Sequence, residues 1–394
     1  MKPRVLVLTA GYGEGHNAAA RALVAACDEA HGPDTALLVD VFALAAPRFS
    51  KVSRKAYIDL INAVPRLWSA VYGWADRSVL LPQAFALLVR ERKILAELIA
   101  HEKPTVICST YPVYAFLLEK IERSGVTLPL HFNIVTDSIS INSLWWRAPC
   151  AGWFVPNEDS ADVMRRGGVE TARLQICGFP VARFFSAHAN EFAPPDLAAG
   201  VAPRVLYIIN SGTRGAAETA RRLLEESEWE VTCAVGRDEK LRRELASLAT
   251  NRARPAEILG WTDQIPRLLM THHVVVSKAG GATTQEAIAA RCPMIVNQIV
   301  PGQEEGNYEL LRRHGAGALA ETPDAVIAVL RRAFSEGGRE WRAWRGAMGA
   351  LTQSDAAGAI VRRVFQLVRQ QSEPVPIPLR ADREPGEVVA DPTV

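Results

Sequence analysis

The sequence predicts an α/β protein made of two doubly wound, Rossmann-like domains that face each other across a cleft. Two observations support this prediction. Short β-rich runs alternate with helical patterns in two successive series, and a proline-containing stretch with little periodicity separates the series. A length of 394 residues also suits about two domains. In doubly wound sheets, ligands bind beyond the carboxyl ends of the strands, so the loops that follow strands are where a site is expected.

Each series is predicted to contain six strands. The first comprises Val5–Thr9, Ala36–Val41, Thr105–Ser109, Leu130–Thr136, Gly152–Val155 and Leu174–Cys177. The second comprises Arg204–Ile209, Trp229–Val235, Glu257–Leu259, His273–Ser277, Met294–Asn297 and Ala316–Ala320, and a helical pattern then runs from Arg339 to about Gln371. We therefore assign 1–185 to an amino-terminal domain, 186–203 to a linker, 204–371 to a carboxyl-terminal domain and 372–394 to a proline-rich tail expected to be disordered.

Composition argues against several classes of protein. With 48% hydrophobic residues, the chain is not a mostly disordered one. Its six cysteines include no Cys-x-x-Cys pair and no histidine at ligand spacing, so we expect a reducing compartment and neither a zinc site nor a disulfide framework. The apolar run Val5–Ala10 is short for a signal peptide, and no stretch approaches the ~20 apolar residues that span a bilayer. A net charge of +2 gives no nucleic-acid signature.

A glycine-rich loop follows the first predicted strand in the segment GYGEGHNAAARAL, residues 11–23. Gly13 and Gly15 allow a sharp turn and close approach to another molecule, and the helix expected from about Asn17 offers unpaired N–H groups. The spacing is one residue short of the dinucleotide fingerprint, which leaves an NAD-dependent dehydrogenase as an alternative. His16 either caps the strand–helix turn or serves as a base or hydrogen-bond donor in the cleft.

A denser group of polar and glycine residues occupies 272–311. A predicted strand runs into Ser277-Lys278-Ala279-Gly280-Gly281, and a helix is expected to begin near Thr283. Gly280 and Gly281 leave space for a phosphate against backbone N–H groups, and the helix dipole favours an anion there. This loop is therefore a candidate phosphate site.

Polar side chains near this loop indicate which groups the ligand would carry beside the phosphate. Glu286, expected in the first helical turn, either accepts hydrogen bonds from the two hydroxyls of a ribose or forms a capping box with Thr283. The turn PGQEEGN brings Gln303, Glu304 and Asn307 to a position where they could bind a polyhydroxylated group. Together these residues indicate a nucleotide-linked ligand.

At these residues the chain resembles a known family. GYGEGHNAAARAL, LGWTDQIPRLL, SKAGGATTQEAI and PMIVNQIVPGQEEGN, in this order, are similar to motifs of the monogalactosyldiacylglycerol synthase and processive diacylglycerol glycosyltransferase family, itself similar to the glycosyltransferase that completes peptidoglycan lipid II. The resemblance covers about residues 4–335. It implies the GT-B fold, a sugar-nucleotide donor in the carboxyl-terminal domain, a lipid acceptor against the amino-terminal domain, and an inverting transfer without a bound metal. The sequence contains no Asp-x-Asp motif, in agreement with the last point.

The resemblance also implies roles for individual residues. Glycines 280 and 281 would meet the donor diphosphate, Glu286 the ribose, and the loop 259–262 the uracil, while His16 would lie at the reaction centre. Gln303 and Glu304 would meet the donor sugar. The candidate donor-binding residues are Gly260, Trp261, Thr262, Ser211, Thr213, Lys278, Gly280, Gly281, Thr283, Glu286, Gln303, Glu304 and Asn307.

Two segments depart from the family pattern. The loop NSGTRG, which contains Ser211 and Thr213, replaces a glycine-richer run, although these hydroxyls could still bind phosphate oxygens. The stretch TDSISINSLWW keeps the pair Thr136-Asp137 and a tryptophan but lacks the histidine expected between them. The second departure affects the acceptor side of the site.

The acceptor side is predicted from a basic, aromatic-rich stretch. Between Arg48 and Lys93, nine residues are basic and three are acidic, with six aromatic residues interspersed. This mixture suits an anionic membrane surface, and the alternative is a solvated helical face with its aromatics in the core. Core packing is also an alternative for the tryptophan pair 145–146. The candidate acceptor or membrane contacts are Gly13, Gly15, Arg54, Lys55, Trp68, Tyr72, Trp145 and Trp146.

These inferences together predict an inverting glycosyltransferase that moves a hexose from a UDP-sugar to diacylglycerol, as a peripheral protein on the cytoplasmic face of the cell membrane. We expect His16, Asp137 or Asp76, in that order, to be the base or to orient it. The expected partners are the UDP-sugar, diacylglycerol or a glycolipid, and an anionic membrane, with no cofactor, metal or nucleic acid. The alternatives are a lipid-II-type N-acetylglucosaminyltransferase and a non-catalytic nucleotide-sugar-binding protein.

Overall fold

The computed structural model describes residues 4–11, 13–46, 84–210, 215–250, 252–302, 304–353 and 355–372. The first six strands in this part of the chain are β1 Val5–Leu8, β2 Ala36–Val39, β3 Val106–Ser109, β4 Leu130–Ile134, β5 Gly152–Val155 and β6 Leu174–Ile176. They form one parallel sheet in the order β2-β1-β3-β4-β5-β6. The other six are β7 Arg204–Ile208, β8 Glu230–Ala234, β9 Ala256–Leu259, β10 Val274–Lys278, β11 Met294–Gln298 and β12 Gly317–Leu319. They form a second parallel sheet in the order β12-β11-β10-β7-β8-β9.

All twelve predicted strands are confirmed, each within two residues of its predicted ends. The inner strands are continuous runs of apolar residues because helices cover both faces of a parallel sheet. β1, β3 and β5 are buried along their whole length. The last residues predicted for β4, Val135 and Thr136, are buried as well but follow the final ladder position, where they enter the loop that leads to the cleft.

Fourteen α-helices lie in the described part of the chain. They are α1 Glu14–His31, α2 Val41–Ala45, α3 Val89–Glu102, α4 Val113–Arg123, α5 Glu158–Arg166, α6 Phe184–Ala187, α7 Ala216–Glu225, α8 Glu239–Ala249, α9 Ile265–Thr271, α10 Gly281–Ala289, α11 Glu305–His314, α12 Pro323–Phe334, α13 Arg339–Leu351 and α14 Ala356–Ser372. Among these helices, none combines the length and apolar character needed to cross a bilayer.

The last helix corrects the domain assignment. We assigned 204–371 to the carboxyl-terminal domain, but α14 packs on the amino-terminal sheet and on α1. Ile360, Val361, Val364 and Phe365 are buried in the same core as the strand residues of β1 and β3. Their spacing of three and four residues gives α14 one apolar face, which covers a face of that sheet. The single helical pattern predicted from 339 to 371 is therefore two helices, and the chain returns to the first domain between them.

The two domains touch across the cleft. Gln285 in α10 donates a hydrogen bond of 3.0 Å from Nε2 to the Ser138 hydroxyl of the first domain. Farther along, the Asp159 carboxylate in α5 accepts from Arg313 at 3.0 Å and contacts His314 Nε2 at 2.9 Å, at the carboxyl end of α11. These contacts hold the two domains together, so that the loop after β4 in the first domain faces the loop after β10 in the second.

Candidate active site

The amino ends of α1 and α10 meet in the cleft. A Cβ added to Gly15 in the first turn of α1 would lie 3.6 Å from the backbone nitrogen of Ala282, the second residue of α10. Gly13 and Gly280 are the N-cap residues of the two helices, and no described side chain caps either end. Two sets of first-turn N–H groups and two positive dipole ends therefore converge, an arrangement that attracts an anion such as a diphosphate.

Both helices begin earlier than the sequence suggested. α1 starts at Glu14 rather than near Asn17, because Gly13 is already in the extended N-cap conformation. α10 starts at Gly281, so Thr283 is its third residue and Glu286 stands in its second turn. The capping box considered for Thr283 and Glu286 is absent, and the expectation that Glu286 lies in the first turn was wrong.

Glu286 is partly buried and faces the first domain. Burial raises the pKa of its carboxyl group to about 7, with a further rise from the charge of Glu14 and a partial offset from Arg21. Within the described residues, its side chain has no hydrogen-bond partner. An unpartnered acceptor next to the two helix ends is consistent with the predicted contact to ribose hydroxyls.

Lys278, Glu304 and Asn307 come together beside Gly280, as the sequence predicted. The Lys278 ammonium lies 2.6 Å from Oε1 of Glu304, whose other oxygen accepts the Val300 N–H at 3.0 Å. Asn307 donates from Nδ2 to the Ala279 carbonyl at 2.9 Å. These bonds connect the loop after β10 to the start of α11 and hold a cation next to the candidate phosphate site.

The predicted uracil loop follows β9 at the same edge of the second sheet. Its Trp261 side chain is 71% exposed. Thr262 accepts the Gln264 N–H at 3.1 Å, which shapes the turn before α9. A Cβ on Gly260 would lie 3.5 Å from the Gly236 carbonyl oxygen, so the loops after β8 and β9 run side by side. The loop is therefore open to solvent at its tip and closely packed at its base.

His16 lies in the first turn of α1 on the other side of the junction. Its Nδ1 is 2.6 Å from the hydroxyl of Thr136, directly after β4. The rings of Tyr111 and Trp145 stand 5.3 and 6.4 Å from the imidazole, centroid to centroid. Burial lowers the pKa of His16 to about 4, and a hydrogen bond with the Thr110 backbone opposes this only in part. The imidazole is therefore neutral at pH 7, and no described side chain caps α1, so the structure shows no capping bond from His16.

Asp137 has a different partner. Its Oδ2 accepts the indole N–H of Trp145 at 2.7 Å. Burial raises the pKa of its carboxyl group to about 6, although the bonds from Trp145 and from the Asn142 backbone act in the opposite direction. Asn142, which stands between them in the sequence, starts the short turn Ser143–Trp145 by accepting the Leu144 N–H at 3.0 Å. Asp137 thus orients Trp145, and Trp145 in turn forms part of the wall around His16.

The predicted lipid contact at Trp145 is wrong. The side chain is fully buried and packs with Val135, Trp153 and Val155, because its indole N–H can be satisfied internally by Asp137. Trp146 is half-buried against α5, where a Cβ on Gly167 would overlap its ring. The core-packing alternative describes both tryptophans.

Several predicted residues lie outside the part of the chain that the structure describes. On the donor side these are Ser211, Thr213 and Gln303, and for the base and the acceptor side they are Asp76, Arg54, Lys55, Trp68 and Tyr72. The proline-rich tail from 373 onward is outside it as well.

The structure adds residues that sequence reasoning did not select. Thr136, Tyr111, Ser138, Gln285 and Gly306 all contact predicted site residues or join the two domains. Tyr111 and Thr136 each follow within two residues of a strand end, so the position of strand ends is the signal that could have found them. The other three act across the domain interface, for which one sequence offers no signal.

The chain is similar to known proteins over part or nearly all of its length. Residues 16–181 match the model of monogalactosyldiacylglycerol (MGDG) synthase. The chain is 25% identical to a processive diacylglycerol beta-glucosyltransferase of Bacillus cytotoxicus, over 95% of this chain and 96% of that protein. It is 24% identical to a protein of the same description from Bacillus cereus strain G9842, over 96% and 97%.

Solved structures match over nearly the whole chain at the level of fold. MnaA of S. aureus, in a co-structure with UDP, superposes with a TM-score of 0.60 at 11% identity, covering 94% of this chain and 98% of that one. Arabidopsis thaliana UGT89C1, complexed with UDP-L-rhamnose, gives 0.58 at 14% identity, covering 94% and 99%. Residues 16–181 are therefore similar to monogalactosyldiacylglycerol synthase, the chain is similar over nearly its whole length to processive diacylglycerol beta-glucosyltransferases, and it has the predicted GT-B fold.

Proposed function

We propose that this protein is an inverting glycosyltransferase that moves a hexose from a UDP-sugar to diacylglycerol and so makes a glycolipid. One observation carries the proposal: two helix amino ends that no described side chain caps meet in the cleft, with the Lys278–Glu304 pair on one side and a neutral His16 on the other. Such a site offers positive potential for a diphosphate and a proton acceptor for an attacking hydroxyl. The names of the full-length relatives support the same reaction and favour UDP-glucose as the first donor to test.

On the donor side, the UDP diphosphate would lie against the N–H groups at the start of α10, where Gly280 and Gly281 carry no side chain. Glu286 would accept from the ribose hydroxyls, and Glu304, held by Lys278, would accept from hydroxyls of the sugar. The loop with Gly260, Trp261 and Thr262 would bind uracil mainly through its backbone.

On the acceptor side, the diacylglycerol hydroxyl would attack the anomeric carbon from the face opposite UDP. As the new carbon–oxygen bond forms, the hydroxyl proton passes to the imidazole of His16. The bond between the anomeric carbon and the β-phosphate oxygen breaks, and its electron pair leaves on UDP. The two helix ends and Lys278 would stabilise that charge, so we propose that no metal ion is needed.

We further propose that the protein works as a peripheral enzyme at the cytoplasmic face of the membrane. The basic, aromatic-rich stretch between Arg48 and Lys93 would approach the anionic surface. Exposed apolar side chains lie just before this stretch, Leu44 at 55% exposure, and within its last residues, Leu87 at 82% and Val89 at 55%, which supports this orientation.

The test is to incubate the purified protein with diacylglycerol vesicles and a panel of UDP-sugars, with and without EDTA, and to weigh the lipids by mass spectrometry. We expect a mass increase of one or more hexoses that survives EDTA and is lost in His16→Ala. Transfer of N-acetylglucosamine to a lipid-II-type acceptor alone would replace the proposal with that alternative. Binding of UDP without transfer to any lipid would indicate a non-catalytic nucleotide-sugar-binding protein. Binding of NAD instead of UDP would reject the glycosyltransferases and the nucleotide-sugar-binding protein alike.

A further inference from the structure

We propose that Thr136 is the positioning residue for His16, holding the imidazole in the orientation and tautomer that proton transfer requires. The inference rests on the proposed function, since the role of His16 as base belongs to it. A catalytic base is normally oriented by a third group on its other nitrogen. Sequence reasoning offered Asp137 for that task, but the structure commits the Asp137 carboxylate to Trp145.

The geometry of the pair is direct. Thr136 Oγ1 lies 2.6 Å from His16 Nδ1, within the range of a strong hydrogen bond. Thr136 is only 5% exposed and follows β4, which is paired on both sides, with β3 and with β5. The hydroxyl is therefore held just beyond the end of an interior strand of the first sheet.

The second nitrogen of the imidazole points toward the predicted acceptor loop. A Cβ on Gly13 would lie 3.7 Å from His16 Nε2 and 3.4 Å from Cδ2. With Nδ1 occupied by Thr136, Nε2 is the nitrogen on the side of the glycine loop. Gly13 has no side chain, so this residue leaves space beside Nε2, and the imidazole also has a hydrogen bond with the Thr110 backbone.

Thr136 also reaches the donor loop. Its carbonyl oxygen would lie 3.8 Å from a Cβ added to Gly281, the first residue of α10. One residue thus contacts the base through its side chain and lies beside the candidate phosphate site through its backbone. A small displacement of Thr136 would change the distance between the base and the donor.

A hydroxyl partner has a chemical consequence that a carboxylate would not have. A carboxylate beside the imidazole would favour the protonated ring, whereas a threonine hydroxyl is uncharged and can either donate to Nδ1 or accept from it. The Thr136 hydroxyl therefore orients the ring without charging it, and His16 is unprotonated at neutral pH, the form from which a base acts.

The test compares Thr136→Val, which removes the hydroxyl at nearly constant volume, with Thr136→Ser, which keeps it. For Thr136→Val we expect kcat to fall about 10- to 100-fold, which is less than the loss expected when the general base itself is removed. KM for the UDP-sugar should stay within about twofold of the wild-type value. Thr136→Ser should retain kcat within about threefold. Thr250→Val, which removes an exposed hydroxyl at the end of α8, is the matched control and should behave as wild type.

A second readout does not depend on activity. The ring nitrogens of His16 can be observed by ¹⁵N NMR and identified among the eight histidines with a His16→Gln variant. We expect one dominant tautomer in the wild type and in Thr136→Ser, and a mixture in Thr136→Val. An unchanged tautomer in Thr136→Val, or equal loss of kcat in the serine and valine variants, would overturn the inference. If the wild type transfers no sugar at all, the proposed function fails, and the NMR comparison still decides whether Thr136 orients His16.

Discussion

Gly306 in α11 packs directly on the backbone of Ser138. A Cβ added to Gly306 would lie 3.0 Å from the Ser138 carbonyl carbon and would overlap its oxygen. The next residue, Ile139, has a φ of +54°, which is uncommon for a β-branched side chain. The loop after Asp137 is therefore held in a strained form where it meets the helix that carries Asn307. The base side and the donor side of the cleft are joined at this contact.

Gly306→Ala should consequently separate the two halves of the site. The methyl group has no space while the domains touch as they do here, so the domains must move apart or the loop must shift. We expect kcat/KM to fall about tenfold or more, because a shift of about 1 Å in a reacting group is costly. Small-angle scattering should show a larger radius of gyration than for the wild type.

The control for this prediction is Gly346→Ala. Gly346 lies in α13 with no heavy atom near the position of an added Cβ, and alanine is the better helix former there. Activity should be unchanged and stability equal or slightly higher. Wild-type kcat/KM in Gly306→Ala would show that this contact does not control the assembly of the site.

Glu286→Gln should weaken donor binding while it stabilises the fold at alkaline pH. The pKa of Glu286 is raised to about 7 in the folded protein, so the folded state holds the proton more tightly than the unfolded state does. The free energy of unfolding therefore falls as pH rises from about 4.5 to 7 and stays lower above it. Removing the charge should recover on the order of 1–2 kcal/mol at pH 8 and very little at pH 4.5.

The same substitution removes a charged acceptor from the proposed ribose contact. We expect the affinity for UDP to fall about tenfold at pH 8, as for loss of one charge-assisted hydrogen bond. In the wild type, UDP affinity should increase with pH through about 7, and this increase should disappear in Glu286→Gln. Calorimetric titration and thermal melting at the two pH values measure both effects, with the exposed Glu257→Gln as control. An unchanged UDP affinity would remove Glu286 from the donor site.

The sequence determines most of the fold because its signals are local. Apolar runs bounded by polar or glycine residues located every strand, and glycines after β1 and β10 located the two helix ends that meet in the cleft. The sequence pattern of the strands does not show which sheet a given helix packs on. The apolar face of α14 fits either domain by pattern alone, and only the three-dimensional arrangement shows it covering the first sheet.

The site was predictable on the donor side and less so around the base. Lys278, Gly280, Glu304 and Asn307 lie within 30 residues of each other, so one loop–helix pattern brings them together. The partner of His16 stands 120 residues away, and the choice between neighbours Thr136 and Asp137 depends on which of two adjacent side chains faces the cleft. Trp145 could not be distinguished from a lipid contact without knowing that Asp137 accepts its N–H.

Lys278→Met should impair both the binding and the departure of UDP. The substitution removes the cation beside Gly280 and leaves the Glu304 carboxylate, only 6% exposed, with the Val300 N–H as its remaining bond among the described residues. We expect KM for the UDP-sugar to rise about tenfold and kcat to fall as well, since the lost charge stabilises the leaving group. In a double-mutant cycle with Glu304→Gln, the coupling should be about 1–3 kcal/mol, because the two side chains act as one pair. Additive losses would mean that Lys278 and Glu304 act separately.

Asp137→Asn tests which group is the base. The Asp137 carboxylate accepts from Trp145 and has no described contact with His16, so an asparagine oxygen can replace most of its bonding. We expect Asp137→Asn to lower kcat less than about tenfold, whereas His16→Ala should lower it about 100-fold or more, as for loss of a general base. Single-turnover kinetics with saturating donor measures the rate of sugar transfer in both variants. Near-ultraviolet circular dichroism reports whether Trp145 has moved. A larger loss in Asp137→Asn than in His16→Ala, with the Trp145 signal unchanged, would transfer the role of base from the imidazole to the carboxylate.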